Sequence, residues 1–128
     1  MSFSNYLETE ILDHVFGGAA YTAPATMYLA LYTVAPTDST AGTEVTTTGT
    51  AYARQTVAFT VSGNTASNTA AIEYATATAN YGTVVAVGVL DASTGGNLMA
   101  YASLSASKAI ETGDVFRVPA GDLDISLD

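Results

Sequence analysis

Hydrophobic residues recur at every fourth position in the first part of the chain. They fall on one stripe of a helix and are Phe3, Leu7, Ile11 and Val15. Ser2 or Ser4 is a suitable N-cap, and Gly17 with Gly18 is a typical helix stop. The spacing therefore predicts one amphipathic α-helix within residues 1–18. Its apolar side needs cover, either from the protein's own β domain or from a neighbouring molecule.

After Pro24 the apolar residues alternate with a period of two, which is typical of strands. The segment MYLALYTV, residues 27–34, is apolar on both faces and is followed by Pro36, so we expect a strand buried between layers. The segment TDSTAGTEVTTTGTA has few large apolar residues. It predicts a long surface loop with a short edge strand around Val45.

Two further segments alternate cleanly between apolar and polar residues. In YARQTVAFTV, the residues predicted to face inward are Val57, Phe59 and Val61, and those predicted to face solvent are Arg54, Thr56, Ala58 and Thr60. In DLDISLD, the inward set is Leu123, Ile125 and Leu127, and the outward set is Asp122, Asp124, Ser126 and Asp128. This alternation predicts sheets with one solvated face.

The run GVLDASTGGNLMAYASL, residues 88–104, could be an anion-binding loop or a turn. A phosphate loop needs a helix N-terminus after it and usually a Lys, whereas a second apolar strand follows here and the first Lys is Lys108. Gly95 and Gly96 permit the positive φ of a tight reversal, and Asp91 can bond local backbone groups. The run therefore predicts a β-hairpin.

We count seven or eight strand signals without intervening helices. This pattern predicts a mainly β fold, namely an antiparallel β-sandwich of jelly-roll type with one N-terminal amphipathic α-helix. We expect a single domain over residues 1–128, with the helix in 1–18 and the strands in 27–128. The further side chains expected to fill the two inner faces are Leu29, Leu31, Ile72, Tyr74, Val85, Val87 and Leu98.

Charge excludes several classes of partner. Twelve Asp and Glu against three Lys and Arg give a formal net charge of −9, which repels phosphate backbones and anionic lipid. We therefore expect binding neither to nucleic acid nor to a membrane, and no apolar run reaches the length of a spanning helix. The N-terminus lacks the basic start and apolar middle of a signal peptide, so we expect synthesis in the cytoplasm.

The chain has few residues that could form a catalytic or metal-binding site. His14 is the single histidine, and it lies next to the apolar stripe, far in sequence from any serine that it could activate. The chain has no Cys, and its carboxylates lack the spacing of a metal loop or an acid–base pair. We therefore expect no enzyme, no cofactor and no metal. Eight Tyr residues could serve as stacking platforms for a sugar, or could equally belong to the core.

The chain resembles small β-rich virion structural proteins of tailed phages over nearly its whole length. The stretches that carry this resemblance are YLETEILDHVFGG, MYLALYTVAPTDSTAGTEV, YARQTVAFT, TANYGTVVAVGVLDASTGGNLMAYASL and GDVFRVPAGDLDISLD. Such proteins are described as capsid decoration or cement proteins, or as tail-fibre-like proteins. The resemblance implies a jelly-roll-like, non-enzymatic protein that assembles on the particle.

From this resemblance we expect a capsid decoration (cement) protein on the outer surface of the virion. Its partner would be the major capsid protein or another virion protein, and we expect a homo-oligomer. The alternatives are a tail or tail-fibre-associated structural protein and a carbohydrate-binding module. The candidate interface residues are Phe3, Leu7, Ile11, His14 and Val15. Whether they contact a partner or the protein's own core is left open, and we favour the partner because two glycines follow the helix.

Overall fold

The computed structural model describes residues 1–127, which form a mainly β protein with 41% strand and 10% helix. The helix α1 (Asn5–Leu12) continues into one π-helical turn, Asp13–Gly17. The strands are β1 (Ser2–Phe3), β2 (Met27–Val34), β3 (Thr43–Glu44), β4 (Gln55–Val57), β5 (Phe59–Ser62), β6 (Thr65–Asn68), β7 (Ile72–Glu73), β8 (Gly82–Leu90), β9 (Leu98–Ile110), β10 (Arg117–Val118) and β11 (Asp124–Ser126). The prediction for Asp128 lies outside the described residues.

The strands form three antiparallel sheets. The largest has the order β1-β9-β8-β2, with β3 and β4 both pairing along the outer side of β2. The two smaller sheets are β10-β7 and β11-β6-β5. A mainly β, antiparallel fold with one short N-terminal helix is thus confirmed, whereas a jelly-roll arrangement is not confirmed by this strand order.

The number of strands was predicted too low, because residues 1–127 contain eleven where seven or eight were expected. The segment YARQTVAFTV explains part of the difference. It divides at Ala58 into β4, which pairs with β2, and β5, which pairs with β6 in a different sheet. One alternating sequence therefore supplies strands to two sheets, while Val57 and Phe59, on either side of the division, both contact the main core.

The main hydrophobic core lies between the large sheet and the two smaller ones. It receives Leu29 and Leu31 from β2, Ile72 from β7 and Val118 from β10. An aromatic group within it places the Tyr52 and Tyr74 rings in a stack, with Tyr81 and Phe116 edge-on to them. The aromatic rings thus provide much of the buried volume where the three sheets meet.

A second, smaller core lies on the opposite face of β2 and β8. It consists of Ala30, Tyr32, Ala86 and Leu90. The central residues of β2 are therefore buried on both faces, as its sequence predicts. Gly88 leaves room for the Tyr32 ring, because a Cβ at this position would lie 2.9 Å from Tyr32 Cε2.

Two residues assigned to the inner faces, Val85 and Leu98, pack instead against this second core. The register between β8 and β9 shifts next to Val85, where residues 104–107 of β9 lie opposite that one residue. Such a bulge changes the face to which side chains point.

No helix within residues 1–127 is long and apolar enough to cross a membrane.

Candidate interaction surface

Ser4 anchors the start of the N-terminal segment to the large sheet. Its backbone N–H donates to the Met99 carbonyl at 2.9 Å, and its hydroxyl donates to the carbonyl of Leu98. The same hydroxyl accepts the backbone N–H of Leu7 at 3.3 Å, so Ser4 is the N-cap of α1. Ser4 is buried, and the segment is therefore tied to the first residues of β9.

Phe3 does not belong to the helix, which is a correction to the predicted stripe. It lies in β1, where it is paired with Ala100 of β9, and it is half-buried. The short strand exists because Ser2 and Phe3 meet the free edge of β9 before Ser4 starts the helix. Phe3 therefore shares the four-residue spacing of the helical stripe only by coincidence.

The rest of the predicted stripe divides between core and solvent. Leu7 is half-buried against the main core, and Ile11 is half-buried too. His14 and Val15 are exposed. The first half of the helix is therefore held by its own domain, and only its end is free for a partner.

Three large apolar side chains are exposed at this end of the helix, and we call Leu12, Val15 and Phe16 the helix-end patch. Their exposed fractions are 57%, 60% and 82%. The π-helical turn carries two of them, and Gly18 then ends the segment with φ at 74°. Large apolar residues grouped in this way on a small domain are typical of interaction surfaces.

His14 has a structural contact in this turn. Its Nδ1 donates to the carbonyl of Ala19 at 3.0 Å, which places the proton on Nδ1 because a carbonyl can only accept. This bond fixes the chain just after the helix. The helical segment itself is acidic, with Glu8, Glu10 and Asp13, and the first Lys or Arg of the chain is Arg54.

The predicted hairpin is present, and its turn is held by Asp91. The carboxylate of Asp91 accepts the backbone N–H of Asn97 at 2.7 Å and the Asn97 side-chain amide at 2.9 Å. Gly95 and Gly96 have φ of 60° and 75°, as the turn requires. The run is therefore a turn between β8 and β9 and lacks the strand-to-helix geometry of a phosphate loop.

Arg54 fastens this turn to the rest of the protein, which the sequence did not predict. It was expected to face solvent, but its side chain is only 9% exposed. Its guanidinium donates to both carboxylate oxygens of Glu44, and Nη1 donates to the carbonyls of Ala92 and Gly95, each at 2.8 Å. Glu44 is ten residues away along the chain, so no local pattern reveals the pair.

The electrostatics of this cluster are those of a structural ion pair. Burial by itself would raise the pKa of Glu44, but hydrogen bonds from Arg54 and Tyr52, with the positive charge of Arg54, hold it below its usual value. Burial raises the pKa of Tyr52, whose hydroxyl donates to Glu44 at 2.7 Å. The guanidinium has most of its donors occupied, so it is poorly placed to receive an anionic ligand.

The tyrosines give little support to a sugar platform. Tyr32, Tyr52, Tyr74 and Tyr81 are buried, and the other four are half-buried. A stacking platform needs an open ring face. Residues 1–127 likewise contain no group of His, Asp and Glu side chains that could hold a metal ion.

The fold and surface describe a small antiparallel β protein with an acidic exterior and an exposed apolar helix end. Residues 2–126 match the family described as podophage GP4 fiber I protein gp80, and the chain belongs to this family. It is thus a tailed-phage virion structural protein that is tail-fibre-like, which confirms the resemblance seen in the sequence. The fibre family agrees with the tail-fibre alternative better than with the capsid cement function that the sequence analysis predicts. No match to a curated protein was found.

Proposed function

We propose that this protein is a structural component of the phage tail fibre region, on the outside of the particle, and that it attaches to another virion protein through the helix-end patch. The fibre family supports the location. The observation that carries the attachment is the exposure of Phe16 at 82% at the end of a helix that is otherwise anchored.

The anchored helix makes this patch suitable for binding. Ser4 and Leu7 hold α1 on its own domain, so little conformational freedom is lost when a partner covers the helix end. Full burial of one such apolar side chain contributes about 1.5–3 kcal/mol. A few side chains of this size form one contact. When several copies make the same contact on a symmetric particle, the attachment becomes stronger.

Charge indicates the chemistry of the partner surface. Glu8, Glu10 and Asp13 share the helical segment with the patch, and Lys and Arg are absent before residue 54. A complementary surface presents an apolar depression with Lys or Arg at its rim. A second copy of this chain fits poorly here, since it carries the same net charge of −9.

The attachment is tested by adding the purified protein to phage particles assembled without it and measuring co-sedimentation. We expect Phe16→Ser to lower binding at least about tenfold, a change that corresponds to roughly 1.4 kcal/mol. Val34→Ser is the matched control, because Val34 is an apolar side chain of 56% exposure on β2. Binding should weaken at high salt if basic residues surround the partner site.

The location is tested by labelling intact particles with an antibody and counting copies by quantitative mass spectrometry. A fibre component should be labelled at the tail and be present in a few to some tens of copies, as the symmetry of a tail assembly dictates. Labelling over the whole shell, with a copy number close to that of the major capsid protein, would instead identify a cement protein. Unchanged binding by a folded Phe16→Ser variant would contradict the helix-end patch as the attachment site.

A further inference from the structure

Three adjoining grooves run along the β8–β9 turn. The first, of about 500 Å³, lies between this turn and the loop that follows β3. The second, of about 290 Å³, shares Glu44 and Arg54 with the first, and the third, of about 230 Å³, shares Ala41 and Gly96 with the second. Because each groove shares residues with the next, they form one long depression, which we call the turn groove.

Small and hydroxyl-bearing side chains predominate in the lining of the turn groove. Thr47, Ser93 and Thr94 are exposed along its first part, and Ser39 is exposed along its third. A hydroxyl group can both donate and accept a hydrogen bond. This lining therefore suits a ligand that itself carries many hydroxyl groups.

The charges along the turn groove favour a neutral ligand. Within residues 1–127, the one basic side chain that lines it is Arg54, whose guanidinium already donates to Glu44 and to the carbonyls of Ala92 and Gly95. The net charge of −9 further repels an anion. The carboxylates of Glu44 and Asp38 can accept hydrogen bonds from ligand hydroxyls, since a carboxylate has about four acceptor positions.

Both walls of the turn groove are fixed by hydrogen bonds within the protein. On one side, Arg54 holds the β8–β9 turn through two carbonyl groups at 2.8 Å. On the other side, the hydroxyls of Thr37 and Thr40 are bonded at 2.7 Å, and Asp38 accepts the hydroxyl of Tyr101. A ligand would therefore cost little ordering of the protein when it binds.

We propose that the turn groove binds a neutral, extended oligosaccharide through its hydroxyl and carboxylate side chains. A sugar chain carries hydroxyl groups along its whole length, which matches a long groove lined by such groups. The site does not use the open ring faces that the tyrosines lack. It shares no residue with the helix-end patch, so it does not depend on the proposed attachment.

A glycan array carrying neutral, sialylated and sulfated oligosaccharides tests the proposal with the purified full chain. We expect binding to neutral oligosaccharides only. Isothermal titration calorimetry with the neutral oligosaccharide that binds most strongly should give an affinity that changes little with salt, because no ion pair is formed. Absence of binding to every neutral glycan would overturn the proposal, as would equal or stronger binding to sulfated glycans.

Removal of hydroxyl groups at constant shape tests the position of the site. The double variant Thr47→Val with Thr94→Val should raise the dissociation constant for that oligosaccharide at least about tenfold. Thr60→Val is the matched control and should bind like the wild type, because Thr60 is an exposed threonine on β5 outside the groove. Unchanged affinity of the folded double variant would contradict the site.

Amide chemical shifts provide a second readout that needs no substitution. Titration with the same oligosaccharide should shift signals of residues 37–47 and 93–98, and shifts confined to other parts of the chain would refute the turn groove. Phe16→Ser should bind the sugar normally, which separates a failure of this inference from a failure of the helix-end attachment.

Discussion

Arg54 and Glu44 form a bidentate ion pair, in which Nε and Nη2 of the arginine donate to the two carboxylate oxygens at 2.8 and 2.7 Å. Tyr52 joins them through its hydroxyl, which also accepts the backbone N–H of Leu31 in β2 at 3.1 Å. The cluster thus connects β2, β3 and the β8–β9 turn. Glu44 and Arg54 line one groove with Tyr32 and Leu90 of the second core, whereas Tyr52 belongs to the main core.

Removal of one partner from this pair should be strongly destabilising. Because Arg54 is almost fully buried, Arg54→Ala leaves Glu44 with its burial cost and without its counter-charge, and we expect a loss of about 3 kcal/mol of unfolding free energy. Urea denaturation measures this loss. Arg117→Ala is the matched control, since Arg117 and Glu73 are exposed and 3.8 Å apart, and it should cost at most about 1 kcal/mol. Similar losses for both variants would contradict the structural role of Arg54.

Stability should depend on pH through Glu44. Its pKa is lower in the folded protein than the ordinary value of 4.5, so its contribution is complete above 4.5 and is lost as the pH falls through the folded pKa. The difference in unfolding free energy between the wild type and Glu44→Gln should therefore be large at neutral pH and shrink in acid. Denaturation over a pH series checks this.

The Arg54→Ala background is the control for this pH effect, because the residue that mainly lowers the pKa is then absent. In that background, the difference in unfolding free energy between Glu and Gln at position 44 should no longer shrink markedly as the pH falls. A difference that stays constant with pH in the wild-type background would show that Glu44 is not ionised preferentially in the folded state.

Alanine substitution in the β8–β9 turn should lower stability more at Asp91 than at Thr94. Asp91→Ala removes two hydrogen bonds to Asn97, and we expect it to cost about 1 kcal/mol. Thr94→Ala, in the same turn, should change stability by less than about 0.5 kcal/mol because Thr94 is an exposed turn residue. Thermal denaturation of the two variants distinguishes them, and neither should affect attachment to particles. A strong loss of binding by folded Thr94→Ala would point to a binding loop.

Deletion of residues 1–18 should be destabilising, although the sequence favours contact of the helical stripe with a partner. The deletion removes the bonds of Ser4 to β9 and exposes the core surface beneath Leu7, so we expect a loss of at least about 2 kcal/mol. Serine at all three positions of the helix-end patch should instead leave the melting temperature nearly unchanged, because those side chains are already in solvent. A truncated domain as stable as the full chain would assign the whole segment to an interface.

Much of the local structure follows from local sequence. Strand β2 is apolar on both faces and is buried on both. The β8–β9 turn has the glycines and the aspartate that its geometry needs, and the helix begins at a serine cap and ends at Gly18. Each of these features depends on residues within a few positions of one another, which is why a periodic pattern is enough to predict it.

The candidate surfaces depend instead on what lies across from each residue. Arg54 is buried because Glu44 and the turn carbonyls meet it. Val61 is exposed, although it shares a face with Phe59, which packs against the main core. Leu7 packs against the core while Val15 remains in solvent, although both belong to one helical stripe. Periodicity indicates which residues share a face, but only the packing of distant segments decides whether that face is covered. The reason is that burial depends on contacts between parts of the chain that are far apart in sequence.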